Sequence, residues 1–258
     1  MKKIAVLISG QIRINDKSLK FLNQLKNSLK DYEFIIVSTI WENQDYLENF
    51  KSKFNIEHIK LIKEKNWNDE ISRVKYVTWE ENTAYKVPNV FHMWHSILEN
   101  INFLTQVSEQ KKIKFDYVIR FRTDIMCTKG LGNLKTQLNK LKDNEILFPS
   151  NLHWRGLNDA FFISNFATFL KFGQILNFID RFINAEKLFN PEYILYSFIE
   201  EMKLKFILIK DFNLSLIRVF ESKPTKTVHI PFRDKLNIKI AKQKIKFYKF
   251  LNKFAKSH

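Results

Sequence analysis

The sequence predicts an α/β fold built around a mainly parallel central sheet. Three observations carry this. Short β-branched apolar runs alternate with segments of helical period along most of the chain, the pattern of strands joined by crossover helices. The composition is globular, with 45% hydrophobic and 27% charged residues over 258 positions, enough chain for one substantial core. Only five Gly and five Pro occur, which excludes long flexible linkers and collagen-like repeats.

The elements follow in order. KIAVLIS, ending in GQIR, reads as a fully buried first strand. NDKSLKFLNQLKNSLKDY places Leu19, Leu22, Leu25 and Leu29 on one helical face, with Asp16 as its N-cap. EFIIVSTIW is a second buried strand, a short helix covers about 44–54, and EHIKLIK alternates as a third strand. A longer helix is expected from Pro88 to about Glu109, because proline suits a first turn and Val90, Trp94, Ile97, Leu98, Ile101 and Leu104 form one stripe. FDYVIRFRT, Phe115 to Thr123, is the fourth strand; LGNLKTQLNKL is a helix and EILFPS a strand. The loop HWRGLND leads into the strand AFFIS, a helix over 166–183 and a proline-headed helix, PEYILYSFIEEMK. KFILI and LSLIRVF close the body as strands.

Charge divides the chain. The formal net charge is +16, and residues 223–258 hold eleven Lys and Arg against Asp234 alone, so +10 of the +16 lies there. Residues 1–222 are therefore read as the body and 223–258 as a basic amphipathic tail. Along the tail Ala241, Ile245, Tyr248 and Leu251 share a stripe. One reading lays it on an anionic membrane surface; the other packs it on the body with its lysines solvated. No nucleic-acid-binding module accompanies the charge, so nucleic acid is not an expected partner. Cys127 is the single cysteine, which fits a reducing, cytoplasmic compartment. The apolar run at the N-terminus, Ile4 to Ile8, is too short for a signal sequence, and no run of membrane-spanning length occurs.

Three stretches carry chemistry. In DYVIRFRTDI, strand alternation puts Tyr117, Ile119 and Phe121 on one face and Val118, Arg120, Arg122 and Asp124 on the other. Ligands of open α/β sheets bind beyond the carboxyl ends of the strands, where Arg122 and Asp124 stand. A carboxylate there can ligate Mn²⁺ or Mg²⁺, and an arginine can fork onto phosphate oxygens. The same residues also fit an internal ion-pair ladder. In SGQIR, Ser9, Gly10 and Gln11 end the first strand with a glycine that permits close approach, and Arg13 is placed to meet a phosphate; an ordinary strand–helix turn is the alternative. In WRGLNDAFF, Asp159 can serve as general base toward an acceptor hydroxyl, or Asn158-Asp159 can be an Asx turn capping the next strand. His92 and His95, three residues apart on a helix, read as packing or substrate-edge residues. Glu192 suits the first turn of its helix, or an acceptor contact.

ISGQIR, FHMWHSI, DYVIRFRTDI and GLNDAFFISN occur in this order over residues 8 to about 165. Together they resemble bacterial glycosyltransferases of capsular-polysaccharide and lipopolysaccharide gene clusters. The resemblance implies a GT-A-like nucleotide-diphospho-sugar transferase fold, a nucleotide-sugar donor, and a glycan or lipid-linked acceptor. It matches Asp124 to a metal-contacting aspartate and Asp159 to the loop carboxylate facing the acceptor. Arg122 stands where that family's D-x-D motif has its first Asp. Either another ligand completes the metal site, with His229 of TVHIPF as the candidate, or arginine replaces part of the ion's charge. His229 also fits a loop at the sheet edge. The expected reaction is sugar transfer in surface-polysaccharide synthesis, in the cytoplasm or at the inner face of its membrane. A non-catalytic scaffold protein of a polysaccharide assembly complex is the alternative, favoured by Arg122 in place of a carboxylate.

Overall fold

Residues Ile4 to Ile8 are buried on both faces of the sheet, so the first strand, β1 (Lys2–Gly10), is apolar throughout its middle. The computed structural model describes residues 1–42, 46–77, 83–153, 156–217, 239–240 and 242–246. After β1 come α1 (Asp16–Ser28), β2 (Tyr32–Trp41), α2 (Leu47–Phe54), β3 (His58–Ile62), α3 (Asn68–Ser72) and α4 (Thr83–Lys111). The second half holds β4 (Tyr117–Phe121), β5 (Ile125–Leu131), α5 (Leu134–Lys140), β6 (Glu145–Pro149), β7 (Phe161–Asn165), α6 (Phe166–Leu170), α7 (Ile175–Asn184), α8 (Pro191–Glu201), β8 (Lys205–Ile209) and β9 (Phe212–Leu216).

Seven strands form one sheet in the order β3-β2-β1-β4-β7-β6-β8. β7 runs antiparallel to β4 and β6, and the other neighbours pair in parallel. This is the mainly parallel α/β class expected from the sequence. β5 and β9 pair antiparallel as a separate ribbon.

The sheet separates two apolar layers. Tyr117, Ile119 and Phe121 join Phe21, Phe161 and Phe212 on one side; Val118 joins Trp94, Phe162, Phe172 and Phe198 on the other. The alternation expected of β4 therefore holds along the strand itself. Many of the 25 phenylalanines fill these layers: the Phe172 ring lies 5.0 Å from that of Phe162 and 5.2 Å from that of Phe198.

Several boundaries differ from expectation for local reasons. Asn15, not Asp16, caps α1, accepting the Lys17 N–H on Oδ1 at 2.9 Å, and Asp16 sits in the first turn. α4 starts at Thr83, which leaves Pro88 inside the helix. Proline forfeits one N–H there, about 3 kcal/mol, while Val90, Phe91, Trp94, Ile97, Ile101 and Leu104 downstream are all buried. The helix expected over 166–183 is split into α6 and α7 by a 3₁₀ turn, Lys171–Gln174, that includes Gly173. α3 and β5 carry no clear period, and sequence reading missed both.

The tail's helical residues 239–240 and 242–246 meet the body: Ile245 is buried in the Trp94 layer, and the Lys244 ammonium donates to Glu200 of α8 at 2.5 Å. Ala241, Tyr248 and Leu251, the rest of the expected stripe, lie outside the described residues, as does His229. Among the described residues no helix is long and apolar enough to cross a membrane.

Phe172→Ala should cost about 3–5 kcal/mol, since the ring is fully buried among three others and the space left cannot be refilled by rigid aromatic neighbours. Urea titration should show a lower midpoint at unchanged slope; a loss under 1 kcal/mol would mean the layer collapses to fill the gap.

Candidate functional site

β1 and β4 are parallel neighbours, with Leu7 opposite Arg120, so Ser9, Gly10 and the residues after Phe121 emerge at the same edge. Arg120 is 2% exposed and points to the α4 side, where its Nη1 donates to Ser9 Oγ at 2.7 Å. The Ser9 and Ser96 hydroxyls lie 3.3 Å apart. α4 is tied to this edge by Asn100, which donates to the Ile8 carbonyl at 2.9 Å, and by Thr39, which donates to the Ser96 carbonyl at 3.0 Å. Gly10 has φ +93°, a left-handed conformation that favours glycine, although a Cβ there would make only ordinary contact with Ser96 Oγ at 3.4 Å.

β4 stops at Phe121. The Arg122 N–H bonds to the Ala160 carbonyl at 3.1 Å, and Thr123-Asp124 turns the chain into β5. Asp124 thus leaves the strand, and alternation does not place its side chain. It meets Arg122 in a fork instead: Nε donates to Oδ1 at 2.9 Å and Nη2 to Oδ2 at 2.7 Å. Arg13 Nη1 donates to the same Oδ2 at 2.8 Å, while Arg13 Nη2 reaches Gln11 Oε1 at 2.9 Å. Arg122 Nη1 also lies 3.5 Å from Asp159 Oδ2. The pair is deep but not sealed: side-chain exposure is 4% at Asp124, 18% at Arg122 and 34% at Arg13.

The loop before β7 presents Asp159. Asn158 Oδ1 accepts the N–H groups of Ala160 and Phe161 at 2.8 and 3.2 Å, the Asx turn in its expected place. Asn158 does the capping, which leaves the Asp159 carboxylate to face Arg122. His153 buttresses the loop, accepting the Asn158 N–H on Nδ1 at 3.2 Å while its Nε2 meets the Pro149 carbonyl at 2.8 Å. Gly156 serves a contact within the fold: a Cβ there would fall 1.9 Å from the Glu192 carbonyl oxygen. That approach seats the loop on the first turn of α8, where Glu192 is 5% exposed.

Burial and charge set the protonation states. Burial, reinforced by Arg122, lowers the Arg120 pKa to about 10, with Asp159 and Asp124 opposing. Burial alone would lower Arg122 too, but the Asp124 and Asp159 carboxylates overcome it and push its pKa up. Burial and then Asp159 raise Glu192 to about 7, against its own N–H, Asn190 and Arg122. Three guanidinium groups, Arg13, Arg120 and Arg122, gather here with the carboxyl groups of Asp124 and Asp159. Among the described residues the buried Arg120 Nε has no hydrogen-bond partner.

The resemblance implied a divalent ion at Asp124. The donor set does not fit one. Oδ1 and Oδ2 both accept guanidinium N–H groups, and a hard cation at that carboxylate would sit against Arg122 and Arg13. Among the described residues no group of three His, Cys, Asp or Glu side chains could hold a metal.

The structure brings Ser9, Gly10, Gln11, Arg13, Arg122, Asp124 and Asp159 to one edge. Sequence reading missed Ser96 and His153, polar residues on a helix face and in a loop that nothing local distinguishes. Trp41, 6% exposed, stacks on His95 with ring centres 5.9 Å apart and meets His92 edge-on at 5.4 Å. Burial lowers the pKa of both histidines. This cluster follows the packing reading.

No family model matches the chain, and no curated protein sequence matches it. Among solved structures the chain is similar to mouse xyloside xylosyltransferase 1 in its apo form, at 10% identity and a TM-score of 0.41 over 81% of this chain and 85% of that one.

Glu192 sets a pH dependence of stability. Its pKa rises from 4.5 in the unfolded chain to about 7, so the folded state holds a proton that the unfolded state has lost. Stability therefore falls as pH rises from 4.5 to about 7 and is level beyond. Glu192→Gln should gain roughly 1–3 kcal/mol over the parent at pH 7.5 and nothing at pH 4. Urea unfolding at both pH values reads the difference; an equal effect at the two would refute it.

Proposed function

We propose that the chain is a glycosyltransferase that moves a sugar from a nucleoside-diphosphate donor to a glycan or lipid-linked acceptor in bacterial surface-polysaccharide synthesis. The single observation that carries this is the cluster of three guanidinium groups, Arg13, Arg120 and Arg122, at the carboxyl ends of β1 and β4, with Asp159 alongside. A leaving diphosphate develops negative charge, and pre-placed cations in a poorly solvated edge stabilise it. Ser9, Gly10 and Gln11 flank the phosphates, and Arg13 and Arg122 meet them. Asp159 takes the acceptor proton in an inverting reaction, or positions the sugar in a retaining one.

A second reading has one observation in its favour. Arg122 and Arg13 already neutralise Asp124, as a structural ion pair would in a protein that keeps the fold without turnover. We also propose that the tail, anchored on the body through Ile245 and Lys244, turns the exposed Lys239, Lys242 and Lys246 toward an anionic inner leaflet.

Asp159→Asn should lower nucleoside diphosphate release from the productive nucleotide sugar, with acceptor present, by about 10²–10⁴-fold. Activity within threefold of the parent would remove Asp159 from the chemistry, and no release with any donor would favour the non-catalytic reading. Deleting residues 233–258 should reduce flotation with anionic but not neutral liposomes; unchanged flotation disposes of the membrane contact.

A further inference from the structure

We infer that this site binds the diphosphate of its ligand through Arg13, Arg120 and Arg122 without a divalent cation, and that Asp124 is an internal counter-anion which the ligand partly displaces. This rests on the proposed nucleotide-sugar reading and goes beyond it, because it assigns Asp124 the opposite role from metal ligation.

Three observations point the same way. Each Asp124 oxygen accepts at least one guanidinium N–H, and Oδ2 accepts two, at 2.7 and 2.8 Å. Arg122 approaches Asp159 as well, so one guanidinium spans both carboxylates. Arg120, almost fully buried, spends Nη1 on a serine hydroxyl, and its Nε has no partner among the described residues. A buried cation whose hydrogen bonds are incomplete is costly unless an anion arrives. A diphosphate supplies acceptor oxygens and charge in the geometry that guanidinium forks match.

The three arginines differ in what they can do. Arg122 is held on two sides and stays in place. Arg13 is the most exposed of the pair partners and sits in the segment between β1 and α1. It is the arm that can turn from Asp124 to a phosphate oxygen with least disturbance. Asp124 then keeps Arg122 oriented while the ligand takes Arg13. Before binding, Asp124 holds both side chains in place; during binding it competes with the ligand for them.

The two roles of Asp124 predict opposite signs, and binding alone tells them apart. Affinity for UDP, GDP and CDP is measured by calorimetry on the full chain, in EDTA and in MnCl₂. The nucleotide that binds should do so in EDTA within about threefold of its affinity in Mn²⁺. Arg13→Ala should weaken it about tenfold or more, with no rescue by Mn²⁺. Asp124→Asn, which keeps the shape but drops the charge, should bind in EDTA at least as tightly as the parent. Arg13→Lys separates charge from fork geometry and should recover part of the loss. Binding that requires Mn²⁺, or that Asp124→Asn abolishes while the variant keeps the parent's melting temperature, overturns the inference and leaves the nucleotide-sugar reading standing. No binding in either condition overturns both.

Discussion

The forked contact between Arg122 and Asp124 is the constraint on which the rest of the site depends. Taking two ions out of water is unfavourable, and only close, directional pairing offsets it. The fork does this with bonds of 2.7 and 2.9 Å, and it does so at the one point where β4 gives way to the turn before β5. Through Arg13 it fixes the segment that follows β1, and through Asp159 the loop that precedes β7. The Asp124 carbonyl also receives the Ile217 N–H at 2.8 Å, which joins the same turn to the end of β9. Segments far apart in the chain are therefore held to one short stretch of charge.

The surrounding fold is arranged so that this charge can exist at depth. Phenylalanine layers on both faces hold the sheet rigid, and the strand ends have little freedom to open toward water. Polar groups near the edge are tied one by one: Asn100 to Ile8, Thr39 to Ser96, Asn158 to the start of β7. Among the described residues, Arg120 Nε and Asn100 Oδ1 are buried there without a hydrogen-bond partner, and burial and then Asp159 raise the Glu192 pKa to about 7.

The departure from D-x-D has a chemical meaning once the geometry is known. A carboxylate pair concentrates negative charge and calls for a cation. An arginine followed two residues later by an aspartate is already neutral as a pair, and it offers a planar donor face to whatever lies beyond. Arg122 is thus more than a missing ligand, because it changes which partner Asp124 needs. The same reasoning gives Gly156 its place, since its lack of a side chain serves the packing of the loop on α8 and only indirectly the ligand.

The alternation of strands and helices and the mainly parallel sheet are legible in the residues alone. These follow from local periodicity and from short apolar runs, which need no knowledge of distant residues. Strand alternation on β4 was legible for the same reason, and it failed at Asp124 because the strand had already ended. Only the tertiary structure decided that Asp124 is paired and not open, that Asn158 does the capping so that Asp159 need not, and that Ser96 and His153 belong to the site. It also extended α4 through Pro88 and placed Ile245 of the basic tail within the core. Each of these depends on contacts between residues remote in sequence, whose energies outweigh local preference and leave no periodic trace along the chain.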